Sequence, residues 1–216
     1  ALPIYWGLHL IDVHIAMGNL VDLAEAQAHG LVPIVCVAGK TGVGVKVRPW
    51  LVDEIQIKGG QAVNYNDPNQ TVIAGHVAGV TAGIDACKAA GAKRGLSLPV
   101  SAPFHSSLMR PVGQALANQL DSIEVKSPHF SVINNVDVTQ PTGESAIKDA
   151  LVRQSYSAVR WVETIQAMQA MGVNTFIECG PGKALAGMLK RIVPDAIVHN
   201  VFDEASLEAA LVATKN

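Results

Sequence analysis

Two short apolar runs, at residues 62–65 and 71–74, are separated by Asn66-Asp67-Pro68-Asn69. No other stretch constrains the fold as much. Asn, Asp and Pro supply the backbone angles and side-chain acceptors of a tight turn, so the two runs are expected to be strands that reverse on each other. An Ala- and Val-rich helical pattern follows over residues 76–90 and stops at Gly91. A further strand pattern covers residues 96–100. Strands and helices that alternate in this way define an α/β fold.

The alternation continues downstream. Helices are expected at 108–120, 144–153, 160–171, 184–192 and 205–212, on apolar residues at helical spacing. Strands are expected at 131–138, at 175–179 (as a buried strand) and at 197–201. Gly180-Pro181-Gly182 reads as a sharp turn. Upstream, residues 19–30 read as a short helix, with Asn19 as N-cap and Gly30 as its stop. Residues 31–38 form a β-rich run, 39–44 a turn, 43–47 a return strand and 51–57 a short helix.

Composition narrows the class. Of 216 residues, 49% are hydrophobic, enough to bury a substantial core. Only 16% are charged and the net charge is -2, which argues against a nucleic-acid partner because no basic stripe is present. Cys36, Cys87 and Cys179 lie far apart without a CxxC pair. A disulfide framework or a zinc site is not expected, and a reducing cytoplasm is the natural setting. The apolar opening is broken by His9, Asp12 and His14 and lacks a basic flank, so it fits neither a signal peptide nor a membrane span. The chain begins with Ala rather than Met, so part of the N-terminus is expected to be missing.

Chemistry concentrates at residues 98–109, LPVSAPFHSSLM. A strand that runs into a loop carrying one His among small hydroxyl residues suits a general base, since imidazole titrates near about pH 6.5. The other reading of His105 is a loop histidine satisfied by a backbone carbonyl. Gly39-Lys40-Thr41 is a weaker signal. A phosphate loop requires Gly where Ile34 stands, and Pro49 interrupts any following helix, so a hairpin turn is the better reading than a nucleotide site.

Several blocks together resemble a known family. They are Val63-Asn-Tyr-Asn-Asp-Pro68, Val72-Ile-Ala-Gly-His76, Cys87-Lys-Ala-Ala-Gly-Ala-Lys93 and Leu98-Pro-Val-Ser-Ala-Pro-Phe-His105. Ile133-Asn-Asn-Val-Asp137, Ala150-Leu-Val-Arg-Gln154, Val159-Arg-Trp161 and Glu178-Cys-Gly-Pro-Gly-Lys183 continue them in order. In sequence and spacing they resemble the malonyl-CoA:acyl carrier protein transacylases of bacterial fatty acid synthesis, over about residues 60–216. Residues 1–59 match poorly.

The resemblance implies an α/β-hydrolase-like large subdomain with an inserted ferredoxin-like small subdomain. Residues 1–29 and 98–216 would form the first, and 30–97 the second. It implies malonyl transfer from malonyl-CoA to the phosphopantetheine thiol of acyl carrier protein through a Ser acyl-enzyme, with no metal or redox cofactor. A cytoplasmic monomer is expected. His105 takes the role of base, and Gln154 matches the position whose main-chain carbonyl orients the imidazole. Phe104 falls where a bulky group accompanies malonyl selectivity; its other reading is core packing. Lys190 and Arg191 match a basic surface facing the acidic carrier protein, or else cap the end of their helix.

The chain also departs from the family. It contains no Gly-x-Ser-x-Gly nucleophile turn. Gly75-His76-Val77-Ala78-Gly79 has the outline of one without the Ser, but its register is that of a strand end in the small subdomain. Counting back from Gly60 puts the expected nucleophile just before Ala1, and the expected malonate-binding Arg near Val21 or Asp22, where none stands. The chain alone is therefore expected to be inactive. The alternative is a non-catalytic carrier-binding module or pseudoenzyme.

Overall fold

A computed structural model describes residues 31–38, 59–89, 91–98 and 102–214. The features expected at 19–30, 39–44, 43–47 and 51–57 lie outside the described residues, as do Gly39-Lys40-Thr41, Val21 and Asp22.

Strands β1 (Leu31–Ala38), β2 (Gly60–Asp67), β3 (Gln70–His76) and β4 (Arg94–Ser97) form one sheet in the order β2-β3-β1-β4. Every neighbouring pair is antiparallel. The hairpin β2–β3 turns at Pro68-Asn69, where the Asn69 N–H donates to Asp67 Oδ1 at 2.7 Å. This Asx turn is what the Asn-Asp-Pro-Asn signal calls for. At the other end of the hairpin Gly75 stands opposite Gly60. A Cβ on Gly75 would lie 2.2 Å from the Gly59 oxygen, so only glycine lets the backbones approach there. Strand β4 starts at Arg94 rather than residue 96, because its ladder with β1 already begins at the pair Ala38–Arg94.

Helix α1 (Val77–Ala89) follows β3 directly and folds back over the sheet. Ile73, Val80, Cys87 and Ala92 form the core between them. The helix stops where Gly91 takes φ +97°; its N–H donates to the Lys88 carbonyl, and that of Ala92 to Cys87. Both bonds satisfy carbonyls that a helix end leaves open. The opposite face of the sheet buries Val63, Val72 and Ala74 against Ala102, Phe104 and Met109. Ile73 faces one side while Val72 and Ala74 face the other, as the two-residue period of a strand requires.

The expected helix at 108–120 is divided. Ser107–Met109 is a 3-10 turn, and α2 (Arg110–Leu120) begins with Pro111 in its first turn, where a missing N–H costs nothing. Helix α3 (Glu144–Tyr156) packs closely on α2. A Cβ on Gly113 would meet the Tyr156 ring at 2.6 Å and Ser155 Oγ at 2.9 Å. Then come α4 (Trp161–Ala170), β5 (Thr175–Cys179), α5 (Ala184–Ile192), β6 (Ile197–Val201) and α6 (Glu204–Thr214). Trp161, Ile165, Met168, Leu189 and Val193 share a core with Ile133.

Two expectations are corrected. Residues 131–138 form no strand. Asn134 turns the chain instead: its Oδ1 accepts from the Asp137 N–H at 2.8 Å, and its N–H donates to the Thr139 carbonyl at 2.9 Å. Side-chain bonds of this kind compete with a ladder. Strand β5 pairs in parallel with β6 and is not a buried strand. Phe176 and Val198 face the core, whereas Ile177 on the other face is 40% exposed.

Candidate active site

The loop that carries His105 rests on the sheet. Phe104 is 6% exposed and packs with Val63, Val72 and Ala74, so the ring occupies the core position that was its alternative reading. Its burial fixes the residue that follows. His105 adopts φ +62°, a left-handed conformation uncommon outside glycine, and is 9% exposed. The Ser106 hydroxyl donates to the Pro103 carbonyl at 2.6 Å, which closes the loop on itself.

His105 Nδ1 lies 2.9 Å from the main-chain oxygen of Gln154. A carbonyl only accepts, so Nδ1 carries the proton and Nε2 keeps its lone pair. Gln154 sits in the last turn of α3, where carbonyls lack helical partners and the helix dipole is negative. Burial pushes the His105 pKa down, against an upward pull from the Gln154 and Ser157 carbonyls. Burial thus favours the neutral imidazole, while the carbonyl contact favours the charged ring.

Further residues steady this contact, and sequence reasoning did not single them out. Arg153, beside Gln154, makes a forked pair with Asp137: Nη1–Oδ1 at 2.6 Å and Nη2–Oδ2 at 2.7 Å. Its Nε also donates to Asp149 at 2.7 Å. The Asn134 turn that displaced the expected strand therefore serves to present Asp137 to α3. From the other side, the connection between α3 and α4 joins the open edge of β2. The Val159 N–H donates to the Val63 carbonyl at 2.8 Å, and the Tyr65 N–H to the Val159 carbonyl at 3.0 Å.

Glu178 was quoted only as part of a motif, but it organises the next helix. Its Oε1 accepts from the Leu185 N–H at 3.1 Å and its Oε2 from Ala186 at 2.8 Å, and Asn200 Nδ2 adds a bond at 2.7 Å. The Gly180-Pro181-Gly182 turn lets the strand end curl back so that this carboxylate meets the helix N-terminus. At the other end of α5, Lys190 Nζ donates to the Ala196 carbonyl, and Arg191 Nε donates to Asp67 Oδ2 at 2.6 Å. None of these bonds joins either cation to the His105 loop.

Gly75-His76-Val77-Ala78-Gly79 spans the junction of β3 and α1. β3 is antiparallel to both its neighbours, and Val77 stands where a nucleophile would be needed. Among the described residues, no group of three or more His, Cys, Asp or Glu is placed to hold a metal, and no helix is long and apolar enough to cross a membrane.

No family model matches the chain. Curated and solved proteins do. Malonyl CoA-acyl carrier protein transacylase of Salmonella typhimurium is 48% identical over 149 residues, which cover 69% of this chain and 48% of that protein. An acyl-carrier-protein S-malonyltransferase from Burkholderia pseudomallei superposes with a TM-score of 0.77 at 41% identity, over 91% of this chain and 66% of the other. A malonyl-transacylase solved in complex with its type II PKS acyl-carrier protein gives a TM-score of 0.82 at 40% identity, over 94% and 64%. These relatives place the α/β fold among the acyltransferases. More narrowly, the chain belongs to the malonyl-CoA:acyl carrier protein transacylase family, and it spans about half the length of the curated relatives it matches.

Proposed function

We propose that this chain supplies the general base of a malonyl transfer from malonyl-CoA to the phosphopantetheine thiol of acyl carrier protein. The observation that carries the reading is the His105 imidazole, buried and held through Nδ1 on the Gln154 carbonyl. In the first half-reaction a Ser hydroxyl attacks the thioester carbonyl and passes its proton to His105 Nε2. The tetrahedral oxyanion collapses, and the coenzyme A thiolate leaves with that proton. In the second, the carrier thiol gives its proton to Nε2, attacks the acyl-Ser, and the Ser regains the proton. No metal or redox group takes part.

The Ser is not in this sequence, which has no Gly-x-Ser-x-Gly. The 216-residue chain by itself should therefore form no covalent malonyl adduct with malonyl-CoA, and an intact-mass shift of one malonyl group would refute this. Residues 30–97, which include the antiparallel sheet and α1, are read as a ferredoxin-like insertion. Residues 1–29 and 98–216 are read as the incomplete α/β-hydrolase-like part of a cytoplasmic monomer. Phe104 would influence acyl selectivity by seating the base loop rather than by touching the acyl group. Lys190 and Arg191 would face the carrier.

The direct test is a chimera in which this chain's matching segment replaces the 149 aligned residues of the Salmonella relative. Malonyl transfer to the holo carrier, abolished by His105→Ala, is the expected result. A folded chimera that transfers nothing would overturn the reading.

A further inference from the structure

The base loop is gripped at a second point that the mechanism above does not use. Gln61 lies on β2, and its carboxamide faces Ser107, next but one after His105. Gln61 Nε2 donates to Ser107 Oγ at 2.9 Å, and the Ser107 N–H donates to Gln61 Oε1 at 2.6 Å. Both polar ends of one side chain are thus engaged with both polar groups of one residue, across 46 positions of sequence. Ser107 opens the 3-10 turn, so its N–H is one that no helical carbonyl can reach. Its own N-cap residue, Ser106, makes no capping bond with its side chain, because that hydroxyl is turned to Pro103. Gln61 does the capping from another element.

His105 lies between this grip and the one on Gln154 and holds a left-handed backbone that persists only where its surroundings enforce it. We infer that Gln61 is a positioning residue for the base: its two hydrogen bonds to Ser107 hold the His105 loop on the sheet and keep the imidazole aligned with Gln154. The inference rests on the reading of His105 as the base, but it concerns geometry that needs no turnover. The competing account is that the buried Phe104 ring anchors the loop unaided.

The two accounts separate in the 216-residue chain. Gln61→Met keeps the length of the side chain and removes both bonds. Gln61→Glu keeps two acceptors, one for the Ser107 N–H and one for its hydroxyl. In Gln61→Met the Ser107 amide should exchange with solvent about ten times faster, while α1 amides exchange as before. The His105 ring resonances should also move, with a titration closer to that of an exposed imidazole. Gln61→Glu should restore the slow exchange. Should Gln61→Met fail to fold, Ser107→Ala removes only the hydroxyl bond and should give a smaller change in the same direction. Unaltered Ser107 exchange together with an unaltered His105 titration, in Gln61→Met or in Ser107→Ala, would overturn the inference and leave Phe104 as the anchor. These readouts report on the loop whatever the chimera does, so failure of the transfer reaction and failure of the grip are distinguishable.

Discussion

His105 Nδ1 donates to the main-chain oxygen of Gln154 at 2.9 Å, joining residues 49 positions apart. The acceptor is backbone, so the side chain of Gln154 is not what holds the imidazole. Gln154 Nε2 donates to the Ser157 carbonyl at 3.3 Å. Gln154→Ala should therefore leave the His105 ring environment almost unchanged and cost less than about 1 kcal/mol. The contact depends instead on where α3 lies, and Gly113 sets that. Gly113→Leu would drive a side chain into Tyr156 and Ser155, cost roughly 2–3 kcal/mol, and shift the His105 resonances. Urea unfolding and imidazole NMR on the two variants would check the contrast; similar ring shifts in both would contradict it.

The same burial makes stability depend on pH. The folded-state pKa of His105 lies below its ordinary value of 6.5, chiefly because burial disfavours the charged ring. The unfolded chain then binds the proton more readily than the folded chain. Stability contributed by the neutral ring is whole above about pH 6.5 and is lost as pH falls through that value toward the folded pKa. His105→Asn, which tolerates the left-handed backbone, should flatten this part of the curve. Unfolding midpoints at about pH 7.5 and pH 5.5 for both proteins are the measurement, since exposed histidines contribute equally to each. An equal drop in the two would count against the assignment.

Glu178 ties the start of α5 to β5 and β6. Its carboxylate is buried and accepts from Leu185, Ala186 and Asn200. Glu178→Ala strands these donors and should cost about 2–4 kcal/mol. Glu178→Gln keeps the shape but turns an NH2 toward a helix N-terminus and should cost roughly 1–2 kcal/mol. Neither change touches the His105 loop, so the ring resonances should stay in place in both. Thermal melts paired with those spectra test the assignment.

Local chemistry made the hairpin, the helix stop at Gly91 and most of the helices readable, because Asx turns and glycine stops need only near neighbours. The loop alone left His105 open between a general base and a histidine satisfied by a backbone carbonyl, and its contact with the Gln154 carbonyl was expected from family resemblance, since no local rule links residues so far apart. The misread segments have separate causes. At 131–138 the β-rich composition was real, but the Asn134 side chain diverted the backbone into a turn. At β5 the apolar run predicted two buried faces, whereas only alternate residues meet the core. Gln61 was not singled out at all, and Arg153 and Glu178 stood only inside motifs, because each acts through hydrogen bonds to residues in another element. A polar residue's distant partner leaves no trace in its own neighbourhood.

The proposed carrier surface can be tested against the structural role of the same cations. Arg191 is 50% exposed, while the Asp67 side chain that accepts from it is 2% exposed. Arg191→Glu would weaken carrier binding if the charge faces an acidic partner, but it would also set a second carboxylate beside Asp67. Asp67→Asn separates the effects. The amide oxygen can still accept from the Asn69 N–H and keep the turn, while Arg191 loses its internal ion partner. Stability should fall by about 1–3 kcal/mol, while carrier binding is kept or strengthened. Arg191→Glu and Lys190→Glu should each weaken binding several-fold at low salt, and the differences should shrink as ionic strength rises. Titration of the holo carrier at two salt concentrations measures this. Equal affinity of Arg191→Glu and wild type at low salt would confine Arg191 to its bond with Asp67.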